Sequence, residues 1–203
     1  MIERLTERDI MLCALAMIRA LLLALFCTWS SFVYATSAVE VSFTDLVTQA
    51  DVIAVGTVTE IREQWDTEKK TPLTLVTFSN LTTVKGSPDS SFTLEFLGGK
   101  MPNGLVMVVA GVPQFTVGEK AVVFSAGNHR DFCPLVGIWQ GLLRVATDPK
   151  QGVETVSDSL RIPIMKIQEG RFVKRSPETA SQSPLPLSTL LQAIQNTLQS
   201  SNH

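Results

Sequence analysis

Cysteine, histidine and tyrosine are nearly missing from this chain of 203 residues, at three, two and one respectively, and each shortage closes off some chemistry. The histidines are His129 and His203, and Cys13 and Cys27 fall in an N-terminal apolar stretch that reads as a removable leader. Without that stretch Cys133 stands alone, so no internal disulfide can form and the cysteine pair of a structural zinc site does not exist. Charge is also sparse, at 18% charged residues and a net charge of −2, which points to no partner chosen by bulk charge. Single-stranded nucleic acid needs a basic groove interleaved with stacking aromatics, and neither pattern is present, so nucleic acid is not an expected partner. Asp148, Glu154 and Asp158 are spread along the chain without the spacing of a calcium loop and read as a solvated face, so no metal and no cofactor is expected.

What the chain does have is a hydrophobic N-terminus. From Met11 to Tyr34 it is apolar except for Arg19 and a few Ser and Thr, and Ala20 to Phe26 forms the core that a translocon recognises. Val33 and Ala35 fit the small-residue pockets of a signal peptidase, which predicts a signal peptide over 1–35 and a mature protein starting at Thr36; Thr36-Ser37-Ala38 is a second cleavage choice. Met11 or Met17 could be the initiator, because the opening to Asp9 is of mixed charge. An uncleaved membrane anchor is the competing reading, diluted by Arg19 and Thr28-Trp29-Ser30-Ser31. The leader contains three basic and three acidic residues, so its loss leaves the net charge at −2. The expected location is outside the cytoplasm, periplasmic or secreted.

The remainder alternates in the manner of strands. Ser42-Phe43-Thr44-Asp45 resembles a capping box and opens a short helix to about Gln49. Val52 to Ile61 is β-branched, with Gly56 as a bulge or bend, and Leu73 to Val84 forms a second strand after the polar turn Asp66 to Thr71. Phe92, Leu94 and Phe96 alternate with Thr93 and Glu95, so one face of the sheet is core. Ala121 to Ser125, Leu135 to Val145 (broken by Gly137 and Gly141) and Gly152 to Val156 supply further strands. Strands at this spacing with no helices between them predict a mainly β domain over 36–160, a five- to seven-stranded antiparallel OB-like barrel with a short N-terminal helix. The pattern weakens from Arg161 to Arg175, and Ser176 to Pro186 is Ser/Pro-rich, so 161–186 reads as an extension and linker. Leu187, Leu190, Leu191, Ile194 and Leu198 fall on one face of a C-terminal amphipathic helix over 187–203, expected to dock on the barrel. Self-association through that helix is the alternative.

The order of these features resembles the netrin-like, or tissue-inhibitor-of-metalloprotease-like, variety of the OB barrel. The resemblance rests on Ala50-Asp51-Val52-Ile53-Ala54-Val55-Gly56-Thr57-Val58, on Val84-Lys85-Gly86, and on Val117-Gly118-Glu119-Lys120 leading into Ala121-Val122-Val123-Phe124. It is similar to small exported bacterial proteins with the same layout. The resemblance implies a fold more than an activity. Netrin-like inhibitors depend on disulfides and on an N-terminal cysteine that chelates the target's metal, whereas this chain offers Cys133 alone and an expected N-terminus at Thr36.

Candidate chemistry is concentrated in His129-Arg130-Asp131-Phe132-Cys133, where imidazole, carboxylate and thiol lie together. His129, Asp131 and Cys133 would form the centre of a hydrolase or thiol enzyme; the simpler reading is an exposed turn after Gly127-Asn128 with Cys133 as a small core residue. Trp65 and Trp139 either line a ligand cleft or sit half-buried at a barrel end. The glycine-rich stretch Gly98 to Gly111 is the first place to look for a partner site, because function tends to sit on rim loops. The leading expectation is an exported, non-enzymatic domain that binds a protein or envelope component, with no catalytic, cofactor or metal residues. A protease inhibitor or regulator is one alternative, and the thiol enzyme is the other.

Overall fold

The computed structural model describes residues 17–19, 39–149, 151–179 and 181–201. Of the expected leader only Met17–Arg19, which are helical, fall within this set; the apolar core, the cleavage positions near Ala35, Cys13 and Cys27 lie outside the described residues, as does His203. From Val39 to Ser201 the described residues form one compact unit.

The first helix, α1 (Phe43–Gln49), starts where its cap predicts. Asp45 N–H donates to Ser42 Oγ at 3.0 Å, and the Ser42 hydroxyl donates to the Asp45 carboxylate at 2.6 Å. Phe43, Leu46 and Val47 are buried. At the other end, Lys85 Nζ donates to the carbonyls of Val47 and Thr48 at 2.9 and 2.8 Å, placing a cation on the negative end of the helix dipole.

Strands β1 (Val52–Asp66) and β2 (Thr71–Lys85) form one long hairpin, reaching beyond the expected end at Ile61. Asp66 Oδ1 accepts from the N–H of Glu68 and of Lys69, which fixes the turn. The expected bulge is at Gly56: pairing passes from Val55↔Thr82 to Thr57↔Ser79, and a Cβ on Gly56 would lie 2.7 Å from Leu81 Cδ2. β3 (Ser91–Leu97) follows β2, and the short pair β4 (Gly99–Lys100) and β5 (Val106–Met107) makes a separate hairpin. β6 (Lys120–Ser125), β7 (Leu142–Thr147) and β8 (Glu154–Ser157) complete a six-stranded antiparallel sheet of order β3-β2-β1-β6-β7-β8.

Both faces of this sheet are covered, which explains the unbroken apolar run of β6. Val122 and Phe124 point into a core shared with α1 and the C-terminal helix α2 (Leu187–Ser200), while Ala121 and Val123 point into a second core with Phe78, Leu94 and Phe96. Leu187, Leu190 and Ile194 pack in the first core beside Leu46 and Val47, so the apolar face of α2 is taken up within its own chain.

Three expectations need restating. First, the mainly β, antiparallel character is met, and among the described residues the ladders run from β3 to β8 with no ladder joining those two strands. The segment 128–132 covers β3, and Pro163 and Pro186 form isolated bridges with Ser157 and Thr155 of β8. Second, Leu135 to Val145 is not one strand. A 3₁₀ helix occupies Ile138–Gly141, and a Cβ on Gly141 would stand 2.7 Å from Val136 O and 2.8 Å from Phe124 O. Third, the weakly patterned extension contains a hairpin, β9 (Ile164–Gln168) and β10 (Arg171–Lys174), turning at Glu169 and Gly170 with φ of 52° and 71°. Ile164 and Leu185 are buried in the first core, so the extension belongs to the body of the domain.

Candidate functional site

The His129 segment is a turn. The N–H groups of Arg130 and Asp131 both approach Gly127 O at 3.0 Å, and Asp131 packs over Gly127. His129 is exposed; its Nδ1 lies 3.3 Å from Glu95 Oε2, and its Nε2 lies 3.3 Å from the amide of Asn128. Cys133, by contrast, is only 5% exposed and packs in the second core with Phe96 and Leu135. Burial pushes its thiol up to about 11, opposed in part by a hydrogen bond with the backbone of Leu135. A nucleophile needs the thiolate and a base beside it; here the thiol is protonated at neutral pH and the imidazole keeps company with Glu95. The three residues are neighbours in sequence, and the structure places Cys133 in the second core while His129 is exposed beside Glu95.

The carboxylates considered for calcium are separated as well. Glu154 Oε1 pairs with Lys120 Nζ at 2.6 Å, and Asp158 Oδ2 pairs with Lys174 Nζ at 2.7 Å. Asp148 closes the β7–β8 turn, where its N–H donates to Val153 O and its carboxylate accepts from Gln151 N–H. No group of three or more metal-binding side chains occurs among the described residues.

Sequence reasoning missed the most buried charges. Arg144 and Glu119 form an ion pair, with side chains 7% and 8% exposed. Arg144 also donates through Nε to Ser159 O at 2.9 Å and through Nη2 to Gln114 O at 2.7 Å, and Glu119 Oε2 accepts from Thr116 N–H at 3.2 Å. Burial lowers the Arg144 pKa from its ordinary value; nearby Arg161 adds to this and Asp158 opposes it. With its donors occupied by protein, the guanidinium ties β7 to the loops before β6 and after β8. The signal was a lone arginine inside the apolar run Leu142-Leu143-Arg144-Val145, since an arginine there is rarely buried unless paired.

The glycine-rich stretch does line a cleft. Its volume is about 250 Å³, and its walls include Ile61, Val76 and Phe96 from the sheet and Val106, Val108 and Phe115 from the loops. Thr74 Oγ1 donates to Gly98 O at 2.9 Å and Gly98 N–H donates to Pro72 O at 2.9 Å, so the chain leaving β3 is folded back across the end of the β1–β2 hairpin. Leu105, Val106 and Val108 are exposed, forming an apolar rim. Further along, Gly111 lies against the ring of Trp139: a Cβ there would be 3.0 Å from Cε3 and from Cζ3. Trp139 borders two neighbouring clefts, whereas Trp65 lies in β1 opposite Pro72 and lines none of the clefts described.

These features define a mainly β, antiparallel domain with two cores and an apolar rim at one end of its long hairpin. Compared with family models, curated proteins and solved structures, the chain matches none. No helix among the described residues is long and apolar enough to cross a membrane.

Proposed function

We propose that this chain is an exported, non-enzymatic interaction domain of the cell envelope, periplasmic or secreted, whose partner is a protein or envelope component. The observation that carries this reading is the exposed row Leu105, Val106 and Val108 beside the cleft, because contiguous apolar surface on a soluble domain marks an interaction site. The apolar run from Ala20 to Phe26 supports export. An OB-type, netrin-like architecture would accommodate the antiparallel sheet with its second core, and the β4–β5 loop would then sit at the barrel rim. Neither a cofactor nor nucleic acid has a part in this reading.

The test is intact-mass analysis of the protein recovered from cell envelope and medium, combined with a pull-down under non-reducing conditions. A species beginning at Thr36 with a stoichiometric companion is the expected result. Full-length protein confined to the cytoplasm would overturn the proposal.

A further inference from the structure

Strand β1 has neighbours on both sides for less than half its length. β6 pairs with it from Val52 to Thr57, whereas β2 accompanies it to Asp66. The backbone of Val58 is still occupied, donating to Glu119 O and accepting from Gly118 N–H, both at 2.8 Å. From Thr59 to Trp65, no backbone N–H or C=O has a hydrogen-bond partner outside β2 among the described residues. Such a half-edge offers donors and acceptors at the spacing of a strand, which another extended backbone satisfies.

The other two edges of the sheet show how this protein treats an edge it does not use. Asn128 and Phe132 occupy β3, and Leu185 O accepts from Val156 N–H on β8. The half-edge of β1 lies open beside the cleft, and Ile61 and Glu63, two residues apart on one face, both line it. Glu63 is exposed and lines the same cleft as Val76 and Phe96, with its carboxylate close to Gly99 of β4, and among the described residues it has no ion-pair or hydrogen-bond partner. The cleft, at about 250 Å³, is smaller than the roughly 300–1,000 Å³ typical of small-molecule sites and suits a few inserted side chains.

Building on the interaction-domain reading, we infer that the half-edge Thr59–Trp65 receives an extended segment of a partner protein as an added strand. That segment carries an apolar residue for the cleft and, two residues away, a lysine or arginine for Glu63. The strand edge supplies affinity through main-chain hydrogen bonds, and the cleft with its one carboxylate selects the side chains.

The test uses random peptides displayed on phage, selected on the full chain and on its Glu63→Lys variant, with amide exchange followed by NMR. Expected are peptides that alternate, place a basic residue two positions from an apolar one, bind Glu63→Lys on the order of tenfold more weakly, and slow exchange within Thr59–Trp65. Anionic vesicles and the chain itself at rising concentration serve as the competing occupants. Peptides that leave these amides unchanged or bind both forms equally overturn the inference, as does an empty selection. So does protection of the same amides by vesicles or by self-association. A protein captured at the Val106 rim with the β1 amides unaffected would overturn this inference alone and leave the interaction-domain reading in place.

Discussion

The side-chain amide of Asn128 pairs with the edge of β3 at Glu95 as a strand residue would. Its Oδ1 accepts from Glu95 N–H at 3.0 Å and its Nδ2 donates to Thr93 O at 2.8 Å. A little further on, Leu97 N–H donates to Phe132 O at 2.8 Å, so the turn that contains His129 functions as an edge cover.

Replacing that amide should therefore expose a strand. Asn128→Ala is expected to lower stability by about 1–3 kcal/mol, the magnitude for losing two part-buried hydrogen bonds, and to promote aggregation through β3. Urea unfolding together with light scattering measures both; unchanged stability and scattering would show that the edge was never at risk.

The Glu119–Arg144 pair predicts a large asymmetry between single and double replacement. Either Glu119→Leu or Arg144→Met strands a buried partner and should cost about 3–5 kcal/mol, whereas the combined Glu119→Leu/Arg144→Met exchange should cost much less than the two together. Denaturant unfolding of the four proteins in the cycle tests this, and simple additivity would contradict it.

Cys133 predicts a loss of stability in alkali. Its thiol keeps its proton up to about 11 in the fold but ionises near the ordinary 9.0 when unfolded, so the native state binds the extra proton between these values. Stability from this group is complete below pH 9 and falls as the pH rises towards 11, by about 2–3 kcal/mol at most. The difference between the wild-type chain and Cys133→Ala, measured across that range, should show the slope; parallel curves would mean that the thiol is not desolvated.

The C-terminal helix should matter for stability and not for assembly. Leu190→Ala or Ile194→Ala opens the first core and is expected to cost about 2–5 kcal/mol while leaving the mass in solution unchanged. A change of mass without destabilisation would restore the self-association reading of α2.

Elements whose identity follows from local pattern were legible in the sequence. The Ser42 cap, the Gly56 bulge, the alternation Phe92-Leu94-Phe96 and the apolar face of α2 each depend on residues close in the chain, and each is present. The strand boundaries were less so, because β1 runs to Asp66 only where β2 reaches back to meet it. Leu135 to Val145 misled because its β-branched and apolar content is strand-like, while the close approach of Gly141 to Phe124 O is a tertiary fact. The β9–β10 hairpin had a readable turn at Glu169-Gly170, masked by the charges around it. At the candidate site, Gly98 to Gly111 was legible as a rim loop, but the Glu119–Arg144 pair joins residues 25 apart in sequence and the half-edge of β1 is defined by where another strand stops.

The central claim, that the rim of the glycine-rich hairpin meets a protein partner outside the cytoplasm, is tested most directly by a photo-cross-linking residue at Val106 in living cells, with the same residue at exposed Leu160 as the control. The account predicts one discrete protein adduct from position 106, recovered from the envelope or medium and absent from position 160. Equal or absent labelling at the two positions, or an adduct found only in the cytoplasm, would contradict it.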